Sequence, residues 1–582
     1  MRFSVFLAVS YGSRKLVTVA LRAFTLTLLL AVALPCAAQV DTTPPTVAIV
    51  SPPSGATLCG TVPVTASASD DVGVVGVQFK YNGINIGAED TTAPYAVAAH
   101  TTAVANGSYV LTAVARDAAG NVTTSAPVTV TVANPTPTPL FGSCKFIPTF
   151  LAYLGGGPAL VAADAPKLAK FDGIEINRAR YNEINPNGNT WAEIKSYNPD
   201  LQIFVYESGT ENSNFHDSVP QVYLNDISRY DLSRGHPMGS LNGDHPELFL
   251  LVSAGSRTYY TPLSNVAANQ YWYLMDFGAA TYQAYWLTAV KADILDQPWI
   301  ADGVFADECL ATNAIVFGAY SGVPTKYSND VDWSSAMNSF AGAVTAGLHG
   351  YGQKLWCNRG DTRSPGGSTA WANLDASANP PDVLLEEGAF AVMWGVGDVQ
   401  FLPESDWKRQ VDTMAAIRNS HVAMVSHTKL LEGQSGTDNW GQPVTFWQTL
   451  WYSLGSFLLT KNDRLNNTYF MFNGGTGPTK IWWYDEYDMI HLGRSVAPYA
   501  VTPIDTSNGP VNVYWREFEK GYVYVNPTLN NVASVALPPA CQATPNPCRQ
   551  LTHDNLLSPP SVLPAVTAIP LSAHNAAVIL KM

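Results

Sequence analysis

The chain runs to 582 residues, too many for one ordinary domain and enough for about three. Only 13% of its residues are charged and the net charge is −14, which disfavours nucleic acid or an anionic membrane surface as a partner. Trp (15), Tyr (27) and Phe (22) are abundant, and aromatic, charge-poor surfaces suit sugars, whose C–H faces stack on rings while their hydroxyls hydrogen-bond.

Residues 1–38 read as an export signal. Arg14, Lys15 and Arg22 precede an apolar run over 23–34, and Cys36-Ala37-Ala38 offers small residues for cleavage. The run is short for a membrane span, and no later stretch reaches the roughly 18 apolar residues a spanning helix needs. The expectation is a soluble protein, secreted or periplasmic, with no membrane span.

From 41 to 133, strand-like runs at 46–49, 62–68, 74–81, 95–98, 108–115 and 126–132 recur between Gly, Pro, Asn and Asp. That is the rhythm of a β-sandwich. Asp41-Thr-Thr-Pro-Pro-Thr-Val-Ala-Ile49 and Ala115-Arg-Asp-Ala-Ala-Gly-Asn-Val122 resemble the bacterial Ig-like modules found on secreted enzymes and adhesins, which implies a spacer or ligand binder. Asp70 and Asp71 read as turn residues. Asn134-Pro-Thr-Pro-Thr-Pro139 is a linker whose alternating prolines keep it extended and hold the folded parts apart.

Over 140–489 the pattern alternates. Strands are expected at 144–151, 173–177, 202–206, 303–307, 353–358, 383–387, 422–427 and 469–473, with helices at 279–295, 333–347, 404–419 and 444–459. Eight strands with intervening helices predict a (β/α)8 barrel, with 209–275 inserted over its rim. An open doubly wound sheet is the rival, but no Gly-rich phosphate fingerprint follows the first strand. Asn473-Gly-Gly-Thr-Gly477 lacks the Lys-Ser/Thr pair of a phosphate loop and reads as a turn. Strand rhythm returns over 490–582, at 511–517, 522–526, 533–537 and 576–580, as a small C-terminal β-domain. The predicted fold class is therefore multidomain: an Ig-like β-sandwich, an α/β barrel and a small β-domain.

Six of the seven cysteines lie beyond the export signal, in a compartment where disulfides form. Cys541 and Cys548 flank a turn-rich loop that a disulfide could close. Cys309 and Cys357 end successive predicted strands and either pair or lie reduced in the core. Cys59 and Cys144 remain, with no pairing implied by their spacing. No Cys or His cluster has zinc spacing, so neither metal nor cofactor is expected.

One stretch organises the rest: Trp299-Ile-Ala-Asp-Gly-Val-Phe-Ala-Asp-Glu-Cys309. Asp302-Gly303 reads as a turn, the apolar run 304–306 as a buried parallel strand, and Asp307 and Glu308 as acids at its C-terminal end, where barrel active sites lie. Asp302-Gly-Val-Phe-Ala-Asp307, Leu384-Leu-Glu-Glu-Gly388 and Tyr514-Trp-Arg-Glu-Phe-Glu-Lys-Gly-Tyr-Val-Tyr-Val-Asn-Pro527 resemble hypothetical glycosyl hydrolase family 15, over roughly 140–582. The resemblance implies a barrel and, by analogy, cleavage of a glycosidic bond in a carbohydrate substrate.

Glycoside hydrolysis needs two carboxyl groups flanking the scissile bond. Asp307 is expected as nucleophile or base, as in barrel hydrolases of α-linkages that place an Asp after strand four, and Glu387 as acid. Neighbours on a strand point to opposite faces, so one of Glu386 and Glu387 enters the cleft; Glu387 is nearer the strand end. Glu175, Tyr206, Glu308, Asn358, Arg359, Glu386 and His427 are further rim candidates for binding sugar hydroxyls or supporting a carboxylate. Trp394 is a candidate stacking platform, and Asp276 a loop-positioning residue. Two other functions compete. A non-catalytic carbohydrate-binding or adhesion protein would not need both acids in one cleft, and a polysaccharide lyase would need the Lys and Arg that are scarce around this rim.

Overall fold

The structure, a computed structural model, describes residues 41–134, 145–153, 164–176, 190–208, 211–213, 248–251, 259–260, 272–291, 295, 301–313, 324–461, 468–474, 481–545 and 547–582. The export segment, the prolines of the linker, Cys144, Asn177 and most of the 209–275 insertion lie outside the described residues.

Eight short apolar runs pair in parallel, each with its neighbour in chain order. They are β1 (Phe150–Tyr153), β2 (Gly173–Ile176), β3 (Gln202–Ser208), β4 (Gly303–Asp307), β5 (Lys354–Asn358), β6 (Val383–Glu386), β7 (His421–Thr428) and β8 (Thr468–Gly474). The ring closes where Thr149 bridges Phe470 in parallel and the Phe470 amide donates to the Pro148 carbonyl at 2.9 Å. The first strand begins six residues later than the expected 144–151.

Alternate residues face inward. Phe305 pairs with Trp356, Trp356 with Val383, Leu385 with Ala423, and Val425 with Met471. These side chains fill the barrel around the Trp356 ring, whose centroid lies 4.9 Å from Phe150 and 5.0 Å from Phe204. Asp302-Gly303 is not a free turn: Gly303 lies inside β4, where a Cβ would stand 2.7 Å from the Phe204 ring and closer still to the Lys354 carbonyl. Asp302 accepts from Lys195 Nζ at 2.7 Å and from the Ile203 amide at 2.8 Å, which anchors the lower end of β4 to β3.

The outward residues meet helices. Val304, Leu355, Leu384, Val422 and Phe470 pack with Ala280–Val290, Asp330–Gly350, Pro365–Asp375, Glu404–Ala416 and Phe446–Thr460 in one continuous core. Asn329 caps the second of these helices, accepting from the Val331 and Asp332 amides, and Ser364 caps the third. The Phe446–Thr460 helix is apolar all round, which marks a helix buried on every side. One flank meets the barrel and the other a five-stranded antiparallel C-terminal sheet. Gly455 permits that contact, since a Cβ there would meet Ala576 Cβ at 2.3 Å. Arg516 of the sheet then caps the helix end, donating to the Leu459 carbonyl at 2.9 Å and to the Lys461 carbonyl at 2.6 Å. A disulfide joins Cys541 to Cys548.

The N-terminal strands form two sheets around a core of Val64, Val77, Phe79, Leu111 and Val130. They are not held apart from the barrel. Strands Thr61–Ser69 and Tyr95–His100 contact the helices Ala165–Leu168 and Thr190–Tyr197 that follow β1 and β2. Among the described residues no helix is long and apolar enough to cross a membrane.

Candidate active site

The inward parity of each strand carries on to the C-terminal rim. Glu175 follows Gly173, Tyr206 follows Phe204, and Asp307 follows Phe305. Asn358 follows Trp356, Glu387 follows Leu385, and His427 and Asn473 face each other across β7 and β8. Acids stand on β2, β4 and at the end of β6. Neutral hydrogen-bonding groups stand on the strands between.

Asp307 is held by three donors. Tyr206 Oη donates to Oδ2 at 2.8 Å; Asn358 Nδ2 and the Glu308 amide donate to Oδ1 at 2.8 and 2.9 Å. The same Asn358 nitrogen donates to Glu387 Oε2 at 2.9 Å. A primary amide has two hydrogens, so one side chain serves both carboxyl groups. Burial, with Asp307 beside it, raises the Tyr206 phenol well above its ordinary value, so Oη keeps its proton and remains a donor.

Burial is also the first reason the Glu387 carboxyl is pushed up to about 8, with the negative charge of Asp307 second; Asn358 opposes both. Its backbone is held as well. His427 sits 3.0 Å from the Glu387 carbonyl through Nε2, and since a carbonyl only accepts, Nε2 carries the proton. Burial pushes His427 down to about 4, so the ring is neutral above that pH. Trp394 lies beside this ring, with centroids 5.0 Å apart, and is 59% exposed.

Two expected binding residues face the other way. Glu386, with Leu384, lies on the outer side of β6, where its Oε2 accepts from the Thr362 amide at 2.7 Å and hydroxyl at 2.6 Å. Arg359 is fully buried outside β5; it donates to the carbonyls of Cys309 and Leu310 and to Asn338 Oδ1. The period of two in a strand sends neighbours of an inward residue outward. Both serve the loops that carry the site and not the cleft. Glu308 occupies the turn just past β4, with a positive φ of 59° that ends the strand. Cys309 and Cys357 lie buried and unbonded against each other beside Arg359. Asp276 is buried and accepts from Tyr327 Oη at 2.6 Å and from Lys326, pinning a loop near helix Asp330–Gly350.

Asn473 escaped the sequence reading because it opens a glycine-rich stretch that resembles a turn. Its inward parity on β8 was the available signal. Its Oδ1 is buried with no hydrogen-bond partner among the described residues.

The family model described as hypothetical glycosyl hydrolase family 15 matches residues 195–522, and a bacterial Ig domain model matches 45–113. No curated protein matches the chain. Among solved structures, the fibronectin(III)-like modules of Clostridium thermocellum CbhA are 30% identical over 15% of this chain and 94% of theirs, with a TM-score of 0.14. The GH36 α-galactosidase AgaA from Geobacillus stearothermophilus is 11% identical over 91% of this chain and 74% of its own, with a TM-score of 0.37. A cycloalternan-degrading enzyme from Trueperella pyogenes is 10% identical, covering 74% of this chain and 60% of that one, at a TM-score of 0.31.

Proposed function

From the premise that the chain belongs to hypothetical glycosyl hydrolase family 15 and is a glycoside hydrolase, we propose that Asp307 and Glu387 are its two catalytic carboxyl groups and that it cleaves with retention. The observation that carries this reading is the shared amide of Asn358. Two oxygens that accept from one nitrogen at 2.8 and 2.9 Å stand close together, which supports the roughly 5–5.5 Å spacing of a retaining pair over the roughly 6.5–9.5 Å of an inverting one.

Asp307, oriented by Tyr206 and Asn358, attacks the anomeric carbon while Glu387 gives its proton to the departing glycosidic oxygen. A water then takes the place of the leaving group, loses its proton to Glu387 and releases the sugar from Asp307. Glu387 suits the first step because its raised value keeps it protonated near neutral pH. Trp394, exposed beside His427, offers a face on which a sugar ring can stack. The N-terminal basic and apolar run supports an exported enzyme that meets its carbohydrate outside the cytoplasm.

The test is release of reducing sugar by the purified protein from a panel of polysaccharides and aryl glycosides, with Asp307→Asn as control and the anomer of the first product followed by NMR. Activity retained in Asp307→Asn would sink the assignment, and an inverted first product would sink retention.

A further inference from the structure

The connection that follows β6 and the one that follows β7 join into a single ledge beside the cleft. The Asp398 amide donates to the Thr437 carbonyl at 2.7 Å, the Thr437 amide returns to Asp398 Oδ2 at 2.9 Å, and Val399 bridges Asp438. Lys429 Nζ donates to the carbonyls of Gly395 and Gly397. Asp398 and Lys429 are thus engaged with the loops' own backbone. The ledge exposes four large apolar side chains, Trp394, Val396, Leu431 and Trp440, among polar neighbours that include Glu432, Gln434 and Gln442. Trp394 is the end nearest the cleft, its ring tilted at 48° beside the His427 ring that holds the Glu387 carbonyl.

Trp440 forms the far end, and it is built to stay put. Its ring lies flat on His574, 5.1 Å away at 5°, and His574 lies flat on Phe401, 4.4 Å away at 17°. Burial pushes His574 down to about 4, so the stack is neutral above that pH. The turn beneath is clamped: Asp438 Oδ1 accepts from the amides of Trp440 and Gln442, and the Phe401 amide donates to Asn439 Oδ1 at 2.9 Å. His574 comes from the C-terminal β-region and holds a positive φ of 43°, a conformation that costs a non-glycine residue free energy and persists where the surroundings impose it. A ring backed on one face by two stacked rings and 37% exposed is pre-organised for a flat apolar partner.

We propose that Trp440, backed by His574, is a distal sugar subsite, so that the substrate is a neutral glycan chain several units long, reaching from the cleft past Trp394 along the ledge. The inference rests on the hydrolase reading above, because that reading puts a sugar at Asp307 and Glu387. It also gives the C-terminal β-region a part in binding, since that region supplies the ring under Trp440.

The experiment is affinity electrophoresis of the full chain through gels cast with soluble starch, dextran, galactomannan or xylan. Asp307→Asn is used so that the polymer survives, and a circular dichroism melt confirms that each variant folds. At least one polymer should retard Asp307→Asn. Adding Trp440→Ala should weaken the apparent affinity by roughly tenfold, and adding Trp440→Phe, which keeps a ring on His574, should restore most of it. Retardation unchanged by Trp440→Ala, or none in any gel, overturns the subsite. Failure of the hydrolase reading has a separate signature: a gel whose polymer is bound through Trp440 but yields no reducing sugar with the unmutated chain. That result leaves the subsite standing.

Discussion

Glu387 is the residue whose ionisation the site controls most tightly, and its pH behaviour can be derived with its sign. The proton it donates is present below about 8 and lost above, so kcat/KM should fall as pH rises through about 8. Replacing it by Gln should cost about 10²- to 10⁴-fold in kcat on a substrate with a poor leaving group and remove that alkaline limb. Stability should respond in the same direction. The carboxyl's value is raised from 4.5 in the folded state, so ionising it costs the folded chain more than the unfolded one. The contribution is therefore full below pH 4.5 and lost as pH climbs through about 8. In thermal melts, Glu387→Gln should gain on the parent across that window and level off above it; a variant that loses ground to the parent as pH rises contradicts the assignment. Asn358→Leu tests the shared amide. It leaves both carboxyl groups without a common donor, so the alkaline limb should move upward as the opposing hydrogen bond is lost. The strand alternation visible in the sequence puts Asp307, Asn358 and Glu387 on one face. The same alternation, applied to Arg359, would have turned it outward; rim position alone did not.

At the scale of elements, the site depends on how β4 and β5 end. Arg359 leaves β5 on the outer face and its guanidinium satisfies two carbonyls of the loop after β4 and the side chain of Asn338 on helix Asp330–Gly350. It ties strand, loop and helix together directly behind Asp307. Arg359→Met keeps much of the packing but leaves the buried Cys309 carbonyl without its donor, while the Leu310 carbonyl keeps the Trp333 indole, so the cost in stability should be about 1–3 kcal/mol, measured by denaturant unfolding. Turnover of the folded fraction should fall as well, because the loop that places the Glu308 amide on Asp307 loses its anchor; unchanged kinetics with lowered stability would limit Arg359 to a purely structural role. Element bounds were readable where turn residues or acids bracket an apolar run: β4 and the strand Val74–Tyr81 begin and end where the pattern says. The first barrel strand was misplaced because Phe146, Ile147, Phe150 and Leu151 are all apolar, while ring closure admits pairing only from Thr149 onward. Why a glycine opens β4 was not readable, because a sequence does not show the Phe204 ring that needs its space.

The whole molecule brings together parts far apart in the chain, and these contacts were the least legible. A proline-rich linker suggests separation, yet the Ig-like strands rest on the helices after β1 and β2; complementarity between two folded surfaces leaves no periodic trace. Among the described residues, the Ig-like region meets the barrel chiefly at these helices and not at the rim residues named above. A chain beginning near residue 140 should therefore keep kcat on a small aryl glycoside within about twofold, with a lower thermal midpoint from the uncovered helices. Loss of activity in a folded truncation would mean that the module has a part in the site. The closed ring has one more implication, for how this chain can change its length. An open sheet can absorb an extra residue by sliding a strand along its edge, but a ring has no edge. One residue gained or lost inside β6 would exchange Glu387 for Glu386 at the cleft and turn Val383 and Leu385 out among the helices. The long connection from β3 to β4 leaves from the same rim under no such constraint. Insertions and deletions are therefore excluded from the eight strands and from the helices packed on them, and are best placed in the loops at the rim, so this scaffold can diversify by lengthening its loops while its acids stay in register.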